Sequence, residues 1–150
     1  MFRRVTFDRR ALSTAVALTL SGRIYKRHFN GSIKSEQIIE ALQHLQRHVP
    51  GKIILIWDRA RIHISKKVRT YLSNHPGIEV ELLPAYSPEL NPEEYCHGNV
   101  KQSLKNARPT CKSEMRTMLD RGFARLRHRP DLLLSFFHRA GLSVRKLRLT

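Results

Sequence analysis

The stretch 52-KIILIWDRARIHISKKVRTYLSNHPGIEVELLP-84 sets the fold. Residues 52–57 form a continuous β-branched and aromatic run, the pattern of a strand buried on both faces. The run stops at Asp58. Ile64, Val68, Tyr71 and Leu72 then share one helical face, and Pro76-Gly77 ends that helix. In 78–82, Ile78, Val80 and Leu82 alternate with Glu79 and Glu81, so a second strand follows. Strand, helix and strand in this order make a βαβ unit with parallel strands. Sites in such sheets lie at the carboxyl ends of the strands. Asp58 occupies such an end.

Upstream, 11-ALSTAVALTL-20 alternates imperfectly and meets a Ser21-Gly22 turn. The segment 23–29 reads as its antiparallel partner, closed by Asn30-Gly31. Ser35 is the expected N-cap of an amphipathic helix over 36–48, built on Ile38, Ile39, Leu42, Leu45 and Val49 and ended by Pro50-Gly51. Downstream, Asn91 as N-cap and Pro92 as first helical residue open a helix through roughly Asn106. Two further helices follow, one on Met115, Leu119, Phe123 and Leu126, the other from Pro130-Asp131 to Gly141. The expected class is α/β, a single domain over 1–150 with a mixed sheet flanked by helices.

Twenty-eight Lys/Arg against twelve Asp/Glu give a formal charge of +16. Residues 107–150 alone hold eleven Lys/Arg and three acids. A charge of this size favours polyanion partners through phosphate contact and counterion release. Nucleic acid comes first, an anionic membrane surface second. The helix at 131–140 has aromatics, Phe136 and Phe137, but few charges opposite them, so the membrane reading ranks last. No apolar tract is long enough to span a bilayer. Cys96 and Cys111 have no metal or disulfide spacing and read as reduced thiols of a cytoplasmic protein.

The carboxylates admit two readings each. Asp58 at a strand end can bind Mg²⁺ or Mn²⁺, or it can cap the next helix or pair with Arg59 or Arg61. Asn91-x-x-Glu94 matches a capping box, which needs no metal, and Glu93 beside it suits the helix dipole.

Taken together, "IILIWDRARIHISKKV" and "VELLPAYSPELNPEEYCHGNVKQSLK" resemble the mariner-like transposase superfamily, in its bacterial insertion-sequence branch. Asp58 and His63 match one family motif. Leu83, Pro84, Tyr86, Ser87, Pro88, Leu90, Asn91, Pro92 and Glu94 match another, and Lys101 matches the lysine of the following helix. Glu94 follows Asp58 by 36 positions, with one helix and one strand between, as the family arranges them.

The resemblance implies a ribonuclease H-like fold and an Asp-Asp-Glu site with two divalent ions, Mg²⁺ or Mn²⁺, acting on DNA strands at phosphorus. Asp58 would be the second carboxylate and Glu94 the third, both metal ligands. His63 would contact a phosphate or order its loop, or simply be a packed or solvated histidine. Lys101 and Lys105 would meet the DNA backbone or simply be solvated. Partners would be transposon-end and target DNA, the product of an upstream reading frame, and a second copy in a homodimer. The setting would be the bacterial nucleoid.

The chain departs from the family pattern in four places. The first strand and its Asp are not evident, since Asp8 is the only acid before Glu36 and lies too close to the next strand. No helix-turn-helix region is seen. Arg59 replaces the usual Asn, and His97 the usual Trp. The expectation is the C-terminal part of a transposase, either truncated or the second of two frames, with an incomplete metal site that holds one Mg²⁺ weakly. The competing expectation is a non-catalytic, basic nucleic-acid-binding remnant.

Overall fold

The computed structural model describes residues 2–7 and 10–142, with 2–7, 10 and 11 as backbone only. Three antiparallel strands open the chain: β1 (Phe2–Phe7), β2 (Arg10–Leu18) and β3 (Ile24–Asn30). β1 corrects the expectation that no strand precedes β2. It pairs with β2 from Phe2↔Ala15 to Phe7↔Arg10. β3 pairs with the other edge of β2, from Leu18↔Ile24 to Leu12↔Asn30. Gly22 carries the expected turn at φ 78°, its N–H donating to the Thr19 carbonyl at 3.1 Å.

β2 is buried on both faces. Leu12 and Val16 point into a core shared with helices α3 (Pro92–Ser103), α4 (Lys112–Arg127) and α5 (Pro130–Arg139). Ala15 points the other way, with Phe29, onto Ala41 of helix α1 (Ser35–His48). The antiparallel sheet is thus the middle layer of three. Close approach of α3 and α4 needs Gly122, where a Cβ would stand 3.0 Å from the Val100 side chain.

The second sheet is β4 (Ile53–Trp57) beside β5 (Ile78–Leu82), parallel, with helix α2 (Lys66–Ser73) as crossover. Its inner face, with Trp57, Ile78, Leu55 and Val80, packs on Ile38, Leu42 and Val68 of α1 and α2. Helix α1 therefore packs on both sheets. Its N-cap is Lys34 rather than Ser35, whose hydroxyl instead bonds that of Ser65 at 2.8 Å. Ser65 caps α2 in turn.

The expected burial of residues 52–57 on both faces holds for one face only. Ile54 is 66% and Ile56 59% exposed. Among the described residues β4 pairs only with β5, so two small sheets stand where one mixed sheet was expected. The helices α1 to α5 fall where the sequence placed them, with ends that differ by a few residues.

A polar cluster ties α4 to the sheet. Thr14 Oγ1 bonds His28 Nδ1 at 2.8 Å, and His28 Nε2 bonds Asp120 at 2.7 Å, where Lys26 also binds. Arg116 lies close enough to disfavour a charge on His28. Burial is the main cause that lowers the His28 pKa. Burial works against the Asp120 charge, but the bonds from His28 and Lys26 outweigh it and lower that pKa too. Both shifts give stability at neutral pH that acid removes. The His28 share fades as pH falls below its ordinary 6.5, and the Asp120 share below 3.8. The melting temperature is expected to drop between pH 7 and pH 5, and to drop less in His28→Gln. Equal pH profiles for the two proteins in a thermal-melt series would refute this.

Candidate active site at the carboxyl end of β4

Parallel pairing brings the ends of β4 and β5 side by side, Trp57 opposite Leu82. The Leu83 N–H donates to the Trp57 carbonyl at 2.8 Å, and Arg59 Nε donates to the Leu83 carbonyl at 3.1 Å. The loop 83–91 therefore starts beside Asp58.

Asp58 is three-quarters buried. Its Oδ1 accepts from the Ala60 N–H at 3.0 Å and lies 2.7 Å from His63 Nδ1. The His63 bond is the main cause that holds its carboxyl below the usual range, against the opposing effect of burial. Among the described residues both bonds fall on Oδ1. Neither expected alternative, capping of the next helix or an Arg59 pair, is what the side chain does, because Ser65 caps α2 and Arg59 reaches Leu83. His63 is 2% exposed, its ring stacked on Trp57 at 4.2 Å and 3°. The structure thus joins Asp58, His63 and Trp57 into one unit.

The loop 83–91 leads on to Glu94. A single 3₁₀ turn, Pro88–Leu90, precedes Asn91, which caps α3 by accepting the Glu93 N–H on Oδ1 at 3.2 Å. The Asn91 N–H donates to the Pro88 carbonyl at 3.0 Å, so the donor that a capping box would give to Glu94 is already engaged. Tyr95 Oη donates to the Glu89 carbonyl at 3.0 Å, and the Arg139 guanidinium lies over its ring at 4.6 Å. These contacts fasten the loop to α3 and α5.

Glu93 and Glu94 part company on α3. Successive helical side chains diverge by about 100°, so one of the two can face the core while the other does not. Glu93 is 5% exposed and hydrogen-bonded to His97, itself buried edge-on to Phe123 at 6.0 Å. The expected dipole role for Glu93 is therefore only part of its work. Burial opposes its charge, yet its pKa is lowered, with the His97 bond among the causes. Burial likewise pushes the neighbouring Cys96 thiol up to about 12. Where the family pattern has Trp, the imidazole of His97 fills the space and takes Glu93 as partner. The i, i+4 spacing of the two was the sequence signal for this pair.

Glu94 is half-buried in the first turn of α3. Lys101 is exposed in the last turn, and Lys105 is exposed just beyond the helix, not on it. Among the described residues no group of three His, Cys, Asp or Glu is placed to hold a metal ion. Asp8 lies outside the described residues.

A carboxylate at the end of a parallel strand, on an α/β scaffold with helices over small sheets, is the arrangement of the ribonuclease H-like nucleases. The chain belongs to the DDE superfamily endonuclease family, whose sequence profile matches residues 4–116. The fold is similar to that of the catalytic domain of Mos1 mariner transposase, with a TM-score of 0.69 at 22% identity, covering 96% of this chain and 81% of that one. The Mos1 mariner paired end complex with Mn aligns at TM-score 0.59 and 25% identity, over 88% of this chain and 44% of that one. A simian T-cell lymphotropic virus intasome aligns at 0.58 and 14%, over 81% and 45%. No curated protein matches. No described helix is long and apolar enough to cross a membrane.

Proposed function

We propose that this chain is the C-terminal part of a DNA transposase catalytic domain, of the bacterial insertion-sequence branch, with Asp58 as second and Glu94 as third carboxylate. The observation that carries this is the Asp58 carboxylate at the end of β4, oriented by His63 and the Ala60 N–H, inside the region the family profile covers. Two hard oxygen donors suit Mg²⁺ or Mn²⁺, and the Mos1 catalytic domain has been solved with each. When bound, such ions supply charge stabilisation to an in-line displacement at phosphorus.

The chain's own residues do the positioning. His63 and the Ala60 N–H fix the Asp58 rotamer, and Trp57 fixes His63. With its side chain 1% exposed, His63 serves to order Asp58, not to meet a phosphate. Exposed Lys101 and Lys105 contact DNA backbone. The remaining carboxylate comes from outside the described residues, from Asp8 or from the product of an upstream reading frame. Partners are transposon-end and target DNA and a second copy, in the bacterial nucleoid.

The second reading, a non-catalytic DNA-binding protein, is favoured by the lack of a three-ligand cluster among the described residues. One experiment separates the two: nicking of transposon-end DNA by this chain joined to the segment that bears the missing carboxylate. Nicking that needs Mn²⁺ is expected. Salt-sensitive binding with no metal effect and no nicking would favour the second reading.

A further inference from the structure

Tyr86 is the one non-glycine residue with positive φ among the described residues, at 56°. For a bulky side chain this left-handed region is strained, and glycine would relieve it. Its ring is fully exposed, at 102%. It gains nothing from burial, and its hydroxyl makes no described hydrogen bond. Neither local conformation nor packing accounts for a tyrosine there. Backbone strain of this kind gathers at functional sites.

Its position is informative. Tyr86 stands midway along the loop that leaves Asp58 and ends at the helix of Glu94. The loop is held at both ends, by Leu83 on Trp57 and by Tyr95 on Glu89. Ser87 Oγ donates to the Ala85 carbonyl at 3.1 Å around the residue itself. The ring is therefore presented from a braced backbone, without the usual cost of ordering a loose loop. The protein around it carries +16 and draws in polyanions.

We infer that Tyr86 is a stacking platform for an unpaired nucleobase of the DNA strand entering the carboxylate site. The inference rests on the DNA reading above and adds to it a specific contact. An exposed aromatic ring is the element that single-stranded nucleic-acid sites use, since every base offers a π-face.

The test uses the whole chain and an oligonucleotide duplex with a single-stranded overhang carrying 2-aminopurine. Wild type is expected to quench the fluorophore on binding. Tyr86→Gly should lose the quench and bind the overhang substrate about 10-fold more weakly. It should bind blunt duplex as wild type does and melt at or above the wild-type temperature. Tyr86→Phe should keep the quench. Equal quench and affinity in wild type and Tyr86→Gly would overturn the inference while leaving DNA binding intact. A lower melting temperature in Tyr86→Gly would make the ring structural and overturn it as well. A dimer that dissociates on Tyr86→Gly would assign the ring to a protein contact instead. Wild type that binds no DNA would refute both this inference and the reading beneath it.

Discussion

In this chain joined to the segment that bears the remaining carboxylate, Asp58→Asn is expected to cut metal-dependent nicking of transposon-end DNA by about three orders of magnitude, with the fold unchanged. The amide keeps an oxygen to accept the Ala60 N–H, so the turn after β4 survives. What it loses is the negative charge, which the His63 bond keeps ionised in the native protein. Losing one preorganised electrostatic group at a reacting centre costs about 10²- to 10³-fold, and a metal ligand stands at the upper end. His63→Ala should cost less, about 10- to 100-fold, because it disturbs only the orientation of the ligand. Excess Mn²⁺ should recover part of the His63→Ala loss and none of the Asp58→Asn loss. Single-turnover nicking across a metal series measures both. Wild-type rates in Asp58→Asn would remove Asp58 from the site.

Glu93→Ala is expected to lower stability by about 3–5 kcal/mol, the cost of breaking a buried pair by taking away one member. His97 is 3% exposed and hydrogen-bonded to Glu93. Without the carboxylate its ring nitrogen stays in the core among Cys96, Val100 and Phe123, all fully or almost fully buried. For a chain of this size the melting temperature should fall by about 10 °C. Glu93→Gln, which can still bond the imidazole, should lose less. Thermal melts followed by circular dichroism measure the difference. A loss below about 1 kcal/mol in Glu93→Ala would mean that the pair is not what seats α3.

Much of this arrangement was legible in the sequence, for physical reasons. The β4–α2–β5 unit announced itself because an apolar run ending at Asp58 can only close where the sheet does. Pro92 after Asn91 marked the start of α3, since proline lacks the donor that a first turn does not need. The helices α4 and α5 carry apolar stripes and fell into place. The failures have causes too. The outer face of β4 was read as buried because an apolar run cannot say what covers it, and Ile54 and Ile56 are bare. β1 has arginines within it, and its place depends on pairing with β2, which no local pattern encodes. On α3 the buried positions are Glu93, Cys96, His97 and Val100, so apolar periodicity could not tell which glutamate faces in. The backbone of Tyr86 follows from the loop's two fixed ends, a tertiary constraint.

Two adjacent glutamates with opposite fates give the most direct check on the metal site. Mn²⁺ titrated into the chain and followed by electron paramagnetic resonance counts ions held by the protein. One weakly held ion is expected, with affinity reduced at least about tenfold in both Asp58→Asn and Glu94→Gln and kept in Glu93→Gln. Unchanged binding in Glu94→Gln, or loss in Glu93→Gln with the protein still folded, would contradict the assignment of Asp58 and Glu94 as partners at one ion.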